Sequence, residues 1–178
     1  EPEIQKDGKI NLIFIGDLIK KIYEYITLVK LKKSNLIKAG TLEIEHTSET
    51  IVSEALSLLK GYKENYFEKG TIPDLDNNFE KNLFNTYLCY LNHKSFFPYY
   101  LTKYSDDRGS FIETVKFNSG GQVSFSTTAP GITRGNHFHT RKIERFAVIK
   151  GKALIKLRRI GTSDILSFNL DGDEPSFV

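Results

Sequence analysis

The residues best suited to do chemistry in this sequence are His137, His139 and Glu144. Two side chains at i and i+2 on an extended strand leave the same face about 7 Å apart along the chain. Glu144 comes five residues after His139 and leads into Phe146-Ala-Val-Ile149, an apolar run that reads as the next strand. Two imidazoles and a carboxylate converging from neighbouring strands make three ligands for a borderline divalent metal. An octapeptide upstream offers a second kind of chemistry: Asp106-Asp-Arg-Gly-Ser-Phe-Ile-Glu113. There a turn leading into a strand presents Arg108, whose planar fork of donors suits a diphosphate, while Gly109 gives the bend its φ freedom.

The elements that must position these groups differ between the two parts of the chain. Apolar residues at 10–15 suggest a first strand, with Asp17 capping a helix that carries Leu18, Ile22, Tyr25, Ile26 and Val29 on one side. A second strand is expected near Leu42–Glu45, then a helix capped at Thr47 or Ser48 with Ile51, Ala55, Leu58, Leu59 and Tyr62 as its apolar stripe. Phe79, Leu83, Tyr87 and Leu91 mark a third helix from Asn78 to Leu91. Beyond Pro98 helical spacing gives way to short apolar runs separated by turn residues. These are Ser110–Phe117, Gln122–Thr128, Glu144–Lys150, Lys152–Ile160 and Ile165–Leu170. Strands at this interval argue for an antiparallel sandwich or barrel. The expected fold class is therefore α+β, a mostly helical part and then an antiparallel β-sandwich or barrel, with the boundary near Asn92–Tyr104.

Composition narrows the possible partners. The 178 residues carry a net charge of +3 with lysines scattered along the chain, so no basic field for nucleic acid is expected. Lys30, Lys32 and Lys33 form the nearest approach to a basic cluster and read as a solvated helix end. Cys89 is the single cysteine, expected to be a buried small hydrophobe in a reducing compartment. The longest apolar run, Ile10–Ile15, is too short to span a bilayer, so no membrane insertion and a cytoplasmic location are expected. The absence of methionine, with Glu1 at the start and a turn shortly before Val178, suggests a piece of a longer protein.

The spacing Gly131-x5-His137-x-His139-x4-Glu144-x6-Gly151 resembles the first metal-binding motif of the cupin superfamily. Asp106-x-Arg108-Gly109-x-Phe111-x-Glu113, Gln122-Val-Ser-Phe-Ser and Arg134-Gly135-Asn-His137 are similar to motifs of cupin-type nucleotide-sugar epimerases. Together with Pro130-Gly-Ile-Thr133, Pro73-Asp-Leu-Asp-Asn-Asn-Phe79 and Leu83–Leu91, they resemble the CapF-type capsular polysaccharide biosynthesis proteins.

That resemblance implies that residues 1–97 are the mostly helical C-terminal part of an extended short-chain dehydrogenase/reductase domain and residues 98–178 the first part of a cupin, a truncated antiparallel β-barrel. It implies a bifunctional enzyme of capsular-polysaccharide nucleotide-sugar biosynthesis. The cupin would epimerise a UDP-2-acetamido-2,6-dideoxy-4-keto-hexose and the reductase would use NADPH, on the way to UDP-N-acetyl-L-fucosamine. By the same resemblance zinc or another divalent metal would be held by His137, His139 and Glu144, with a further histidine lying past Val178. Arg108, Arg134 and Gln122 would bind the UDP-activated amino sugar, and His137 and Arg134 would be the catalytic residues. His137 has two competing roles, since in metal-free relatives the histidine of Arg-Gly-x-His is the general base. A homodimer is expected, and the chain by itself is expected to be inactive. A metal-stabilised, non-catalytic module for dimerisation or sugar binding is the alternative. No Gly-x-x-Gly-x-x-Gly comes after a strand, so NADPH would bind through residues not found here. Tyr99-x3-Lys103 matches reductase spacing only by chance, being placed just after Pro98.

Overall fold

A computed structural model of the chain describes residues 2–30 and 43–178. Lys32, Lys33 and Leu42, named above for a basic cluster and a strand, lie outside the described residues. The chain divides into two units, Glu1–Thr133 and Arg134–Val178.

In the first unit β1 (Lys9–Leu12) precedes α1 (Ile15–Lys30) and pairs antiparallel with β2 (Ser48–Ile51). Helix α2 (Val52–Gly61) continues directly from β2, and neither Thr47 nor Ser48 caps it. Asp7 does so from 46 residues away, accepting hydrogen bonds from the Ser53 amide at 2.9 Å and the Ser53 hydroxyl at 2.7 Å. The helix runs on into a π-helical stretch, Tyr62–Glu68, and then a two-residue strand, β3 (Thr71–Ile72). Helix α3 (Asn78–Tyr90) begins where its sequence says it should. The Asn77 side chain accepts from the Glu80 amide, and the Glu80 carboxylate turns back to the Asp76 amide, both at 2.9 Å. A single helical turn, α4 (His93–Phe96), leads to β4 (Lys103–Asp106), β5 (Gly109–Phe117) and β6 (Gln122–Thr128). Strand β5 is the hub of a four-stranded sheet. It pairs antiparallel with β4 and β6 and parallel with β3, so a strand from before the compositional boundary joins a sheet formed after it.

The core of this unit is aromatic. Tyr62, Phe84 and Phe96 are buried, and the Tyr62 and Phe84 rings meet edge to face at 5.0 Å. Tyr66 bridges Phe84 and Phe96 at 5.1 and 5.7 Å. Cys89 lies on the exposed side of α3, contrary to its expected burial, because the inward side of that helix is taken up by Phe84. Tyr99 donates to the Glu68 carbonyl at 3.0 Å.

Burial among these rings pushes the Tyr62 hydroxyl up to about 12, with the nearby Glu80 charge adding to the effect. The folded state thus holds this proton more tightly than the unfolded chain, whose tyrosines titrate near pH 10. Its contribution is fully present below about pH 10 and is lost as pH rises toward 12. Tyr62→Phe is therefore expected to flatten the alkaline fall in stability between those values. Denaturant midpoints measured at pH 9, 10 and 11 check this, and an identical fall in both proteins would count against it.

The second unit holds one antiparallel pair, β7 (Lys152–Arg158) with β8 (Ile165–Asp171). Strand alternation places the pairs Ala153–Leu170, Ile155–Phe168 and Leu157–Leu166 on one face. The other face begins with an ion pair, Lys152 Nζ to Asp171 Oδ2 at 2.9 Å.

This architecture corrects the expected fold class. Among the described residues helix and strand occur in comparable amounts, the sheets have two, four and two strands, and no barrel closes. The mostly helical reading anticipated β1 at residues 10–15 but placed the second strand near Leu42–Glu45 instead of Ser48–Ile51, and it missed β3, whose two residues are too few to show a period. The barrel reading relied on a strand at Glu144–Lys150, where the chain makes only an isolated bridge between Ala147 and Phe177. The fold is a small α+β arrangement.

Candidate metal centre

His137, His139 and Glu144 come together, though not by the expected route. Residues 134–143 form no strand, and backbone turns at Gly135 (φ 96°) and Asn136 (φ 57°) break the extended geometry just before the first histidine. The two imidazoles therefore do not project in parallel from a sheet. They sit at 68° to each other with ring centroids 4.8 Å apart.

Glu144 is fixed by the backbone on its C-terminal side. The Phe146 and Val178 backbones exchange hydrogen bonds of 2.9 and 3.0 Å, and the Arg145 guanidinium lies 4.5 Å over the Phe177 ring. From this anchored position the Glu144 carboxylate reaches His139 Nε2 at 3.2 Å and His137 Nε2 at 3.8 Å.

One ligand atom from each residue lies within 4.8 Å of the others. A tetrahedral ion with ligands at about 2.0–2.1 Å separates its ligand atoms by about 3.3 Å, so the cluster fits a zinc-sized cation after small rotations. Two nitrogens and a carboxylate are also the donor set that such an ion prefers over magnesium or calcium. Lys142 hydrogen-bonds Glu144 at 2.7 Å and, with smaller help from His139 and His137, holds its carboxyl below the usual carboxylate range against partial burial. The sequence reading missed Lys142. Its signal was a cation two residues before a proposed ligand.

The other two histidines are engaged in the first unit, His46 with Glu49 and His93 with the Leu88 carbonyl, each at 2.9 Å. Arg108, in the β4–β5 turn, is already held. Its Nε and Nη2 reach Asp106 Oδ2 at 2.9 and 2.6 Å, and the contact keeps the guanidinium even more firmly protonated. A diphosphate drawn to Arg108 has to compete with Asp106. Gln122 opens β6 and donates to the Ser124 hydroxyl at 3.2 Å. Arg134 is half-buried at the start of the second unit, three residues before His137. Among the described residues no helix is long and apolar enough to cross a membrane.

Residues 104–178 match the family described as Polysaccharide biosynthesis C-terminal domain. A curated relative from Pseudomonas aeruginosa, UDP-2-acetamido-2,6-beta-L-arabino-hexul-4-ose reductase, is 33% identical over 171 residues, spanning 96% of this chain and 44% of its own length. The crystal structure of capsular polysaccharide assembling protein CapF from Staphylococcus aureus superposes with a TM-score of 0.79 at 34% identity, covering 100% of this chain and 47% of that one. CapF with the inhibitor 3-isopropenyl-tropolone gives a TM-score of 0.80, also at 34% identity, and covers 50% of its chain. The resemblance to CapF-type proteins thus extends over the whole of this chain, which spans about half the length of the relatives it matches.

Proposed function

We propose that this chain forms part of an enzyme of capsular-polysaccharide nucleotide-sugar biosynthesis, in which His137, His139 and Glu144 hold a zinc ion beside a UDP-linked amino sugar. The observation that carries the reading is the convergence of those three side chains, with ligand atoms within 4.8 Å of one another. The names of the relatives support the substrate class. One is a reductase of a UDP-linked hexulose, a sugar bearing a ketone, and the other a capsular polysaccharide assembling protein.

The step assigned to this site is epimerisation next to that ketone, in a UDP-2-acetamido-2,6-dideoxy-4-keto-hexose. It needs a base for the α-proton, a group to steady the enolate oxygen, and an acid to return a proton to the opposite face. A bound zinc ion supplies Lewis acidity. His137 and His139 are then ligands, and a ligated nitrogen cannot also accept a proton, so the base is another residue. Arg134, close in sequence to the cluster, is assigned to the sugar and phosphate oxygens together with Arg108 and Gln122. Reduction with NADPH is assigned to residues outside this sequence, which has no Gly-rich dinucleotide loop. A homodimer belongs to the same reading.

Incubating the intact protein with the UDP-4-keto sugar in deuterium oxide, without NADPH, tests this. The expected result is deuterium at the carbon next to the ketone, lost when the zinc is removed by chelation. Stoichiometric zinc with no exchange would replace the epimerase with a metal-stabilised binding or dimerisation module.

A further inference from the structure

Lys142 supplies no ligand, yet it occupies the charge that a metal would use. Its Nζ lies 2.7 Å from Glu144 Oε1, the same oxygen that lies 3.2 Å from His139 Nε2. The two partners differ in freedom. The Lys142 side chain is 51% exposed and can swing into solvent on its four-carbon stem, whereas Glu144 is 25% exposed and tied down by the Phe146–Val178 pair.

We infer that Lys142 is a resident counter-cation of the His137–His139–Glu144 cluster, which keeps the carboxylate in place before metal arrives and which an incoming divalent ion must displace. This role rests on the zinc reading of the cluster. Its physical basis is charge. With both imidazoles neutral, as ligation requires, Glu144 and Lys142 cancel, and the cluster presents no net negative charge to a dication. Binding then depends on the two nitrogens, and Lys142 is repelled as the ion enters. A lysine that merely propped Glu144 for ligation would have the opposite signature, since removing it would weaken binding.

Zinc titration of the full chain against a chromophoric chelator distinguishes the two. Lys142→Gln is expected to bind zinc about tenfold more tightly than wild type, an advantage that shrinks with added salt. Lys142→Arg, which keeps the charge, should bind no more tightly than wild type. His139→Ala, which lacks a ligand, should lose most of the affinity. Far-ultraviolet circular dichroism and thermal midpoints verify that all four proteins are folded. If wild type binds zinc, His139→Ala does not, and Lys142→Gln binds equally or more weakly, the counter-cation role is overturned while the metal site stands. If none of the four takes up zinc, the metal reading fails and the inference falls with it.

Discussion

Glu144→Ala is expected to lower zinc affinity by on the order of a hundredfold or more. Loss of the residues that merely orient metal ligands commonly costs 10–100-fold, and Glu144 would be a ligand itself. It is the only anionic member of the cluster and the partner of both histidines and Lys142. Its removal leaves two neutral nitrogens facing an ammonium with no carboxylate between them. Glu144→Gln separates charge from shape. The amide can still accept from Lys142, but it is a poor zinc ligand, so affinity should fall nearly as far. The hydrogen bonds between Phe146 and Val178 and the β7–β8 pairing do not use this side chain, so the thermal midpoint of the metal-free protein should move little. Titration of zinc into each variant, with the midpoint recorded alongside, measures both quantities. Wild-type affinity in Glu144→Ala would remove Glu144 from the ligand set.

The largest loss of stability from a single methyl group is expected at Gly109. This residue has φ 141°, a conformation that side-chain-bearing residues rarely adopt, and pairs with Asp106 on one side and Thr128 on the other. A Cβ built there overlaps the Thr127 carbonyl oxygen and comes within 2.8 Å of its carbon, and backbone cannot move aside as a side-chain tip can. Gly109→Ala should therefore cost about 3 kcal/mol or more, combining strained φ with steric overlap where the sheet's central strand leaves the β4–β5 turn. Gly120→Ala is the control. Its φ is 95° but a Cβ there meets nothing within 4 Å, so it should cost only about 1 kcal/mol. Urea unfolding of the two variants gives the comparison. Equal losses would show that φ strain alone governs both positions.

How far the sequence foretold this molecule depended on the range of the forces involved. Helix α3 was legible because its stripe through Phe79, Leu83 and Tyr87 is a local signal, and the Asn77 cap with Glu80 three residues on, although not used in the reading, is local too. Strand β6 was placed at its observed ends because Gly120-Gly121 and Ala129-Pro130 punctuate it on both sides. Asp7 could not be read as the cap of α2, since nothing near Asp7 signals a partner 46 residues away. The parallel pairing of Thr71-Ile72 with β5 was equally hidden. At the metal cluster the residue types were legible and the geometry was not. A His-x-His pattern suits a strand, but Gly135 and Asn136 adopt positive φ and deliver the same side chains from a loop. Lys142 escaped notice because a lysine in a polar stretch looks like ordinary solvated surface until its distance to a carboxylate is known.

The two-residue strand β3 bears on how the first unit acquires its structure. Around it, the Asn118 amide bonds the Ile72 carbonyl at 3.0 Å and the Asn118 side chain bonds Asp74 Oδ2, also at 3.0 Å, across 44 residues of chain. Helix α3 and the β5–β6 hairpin can each form from local contacts, but β3 has nothing to pair with until the hairpin exists. Closing so long a loop costs entropy that a pair of residues recovers only when the helices and the sheet are both already in place. The joint is therefore expected to form late on the way to the native state and to open early, so that hydrogen exchange at the Asn118 amide should be faster than at the amides paired between β5 and β6. On that expectation it acts as the latch on the unit rather than its nucleus.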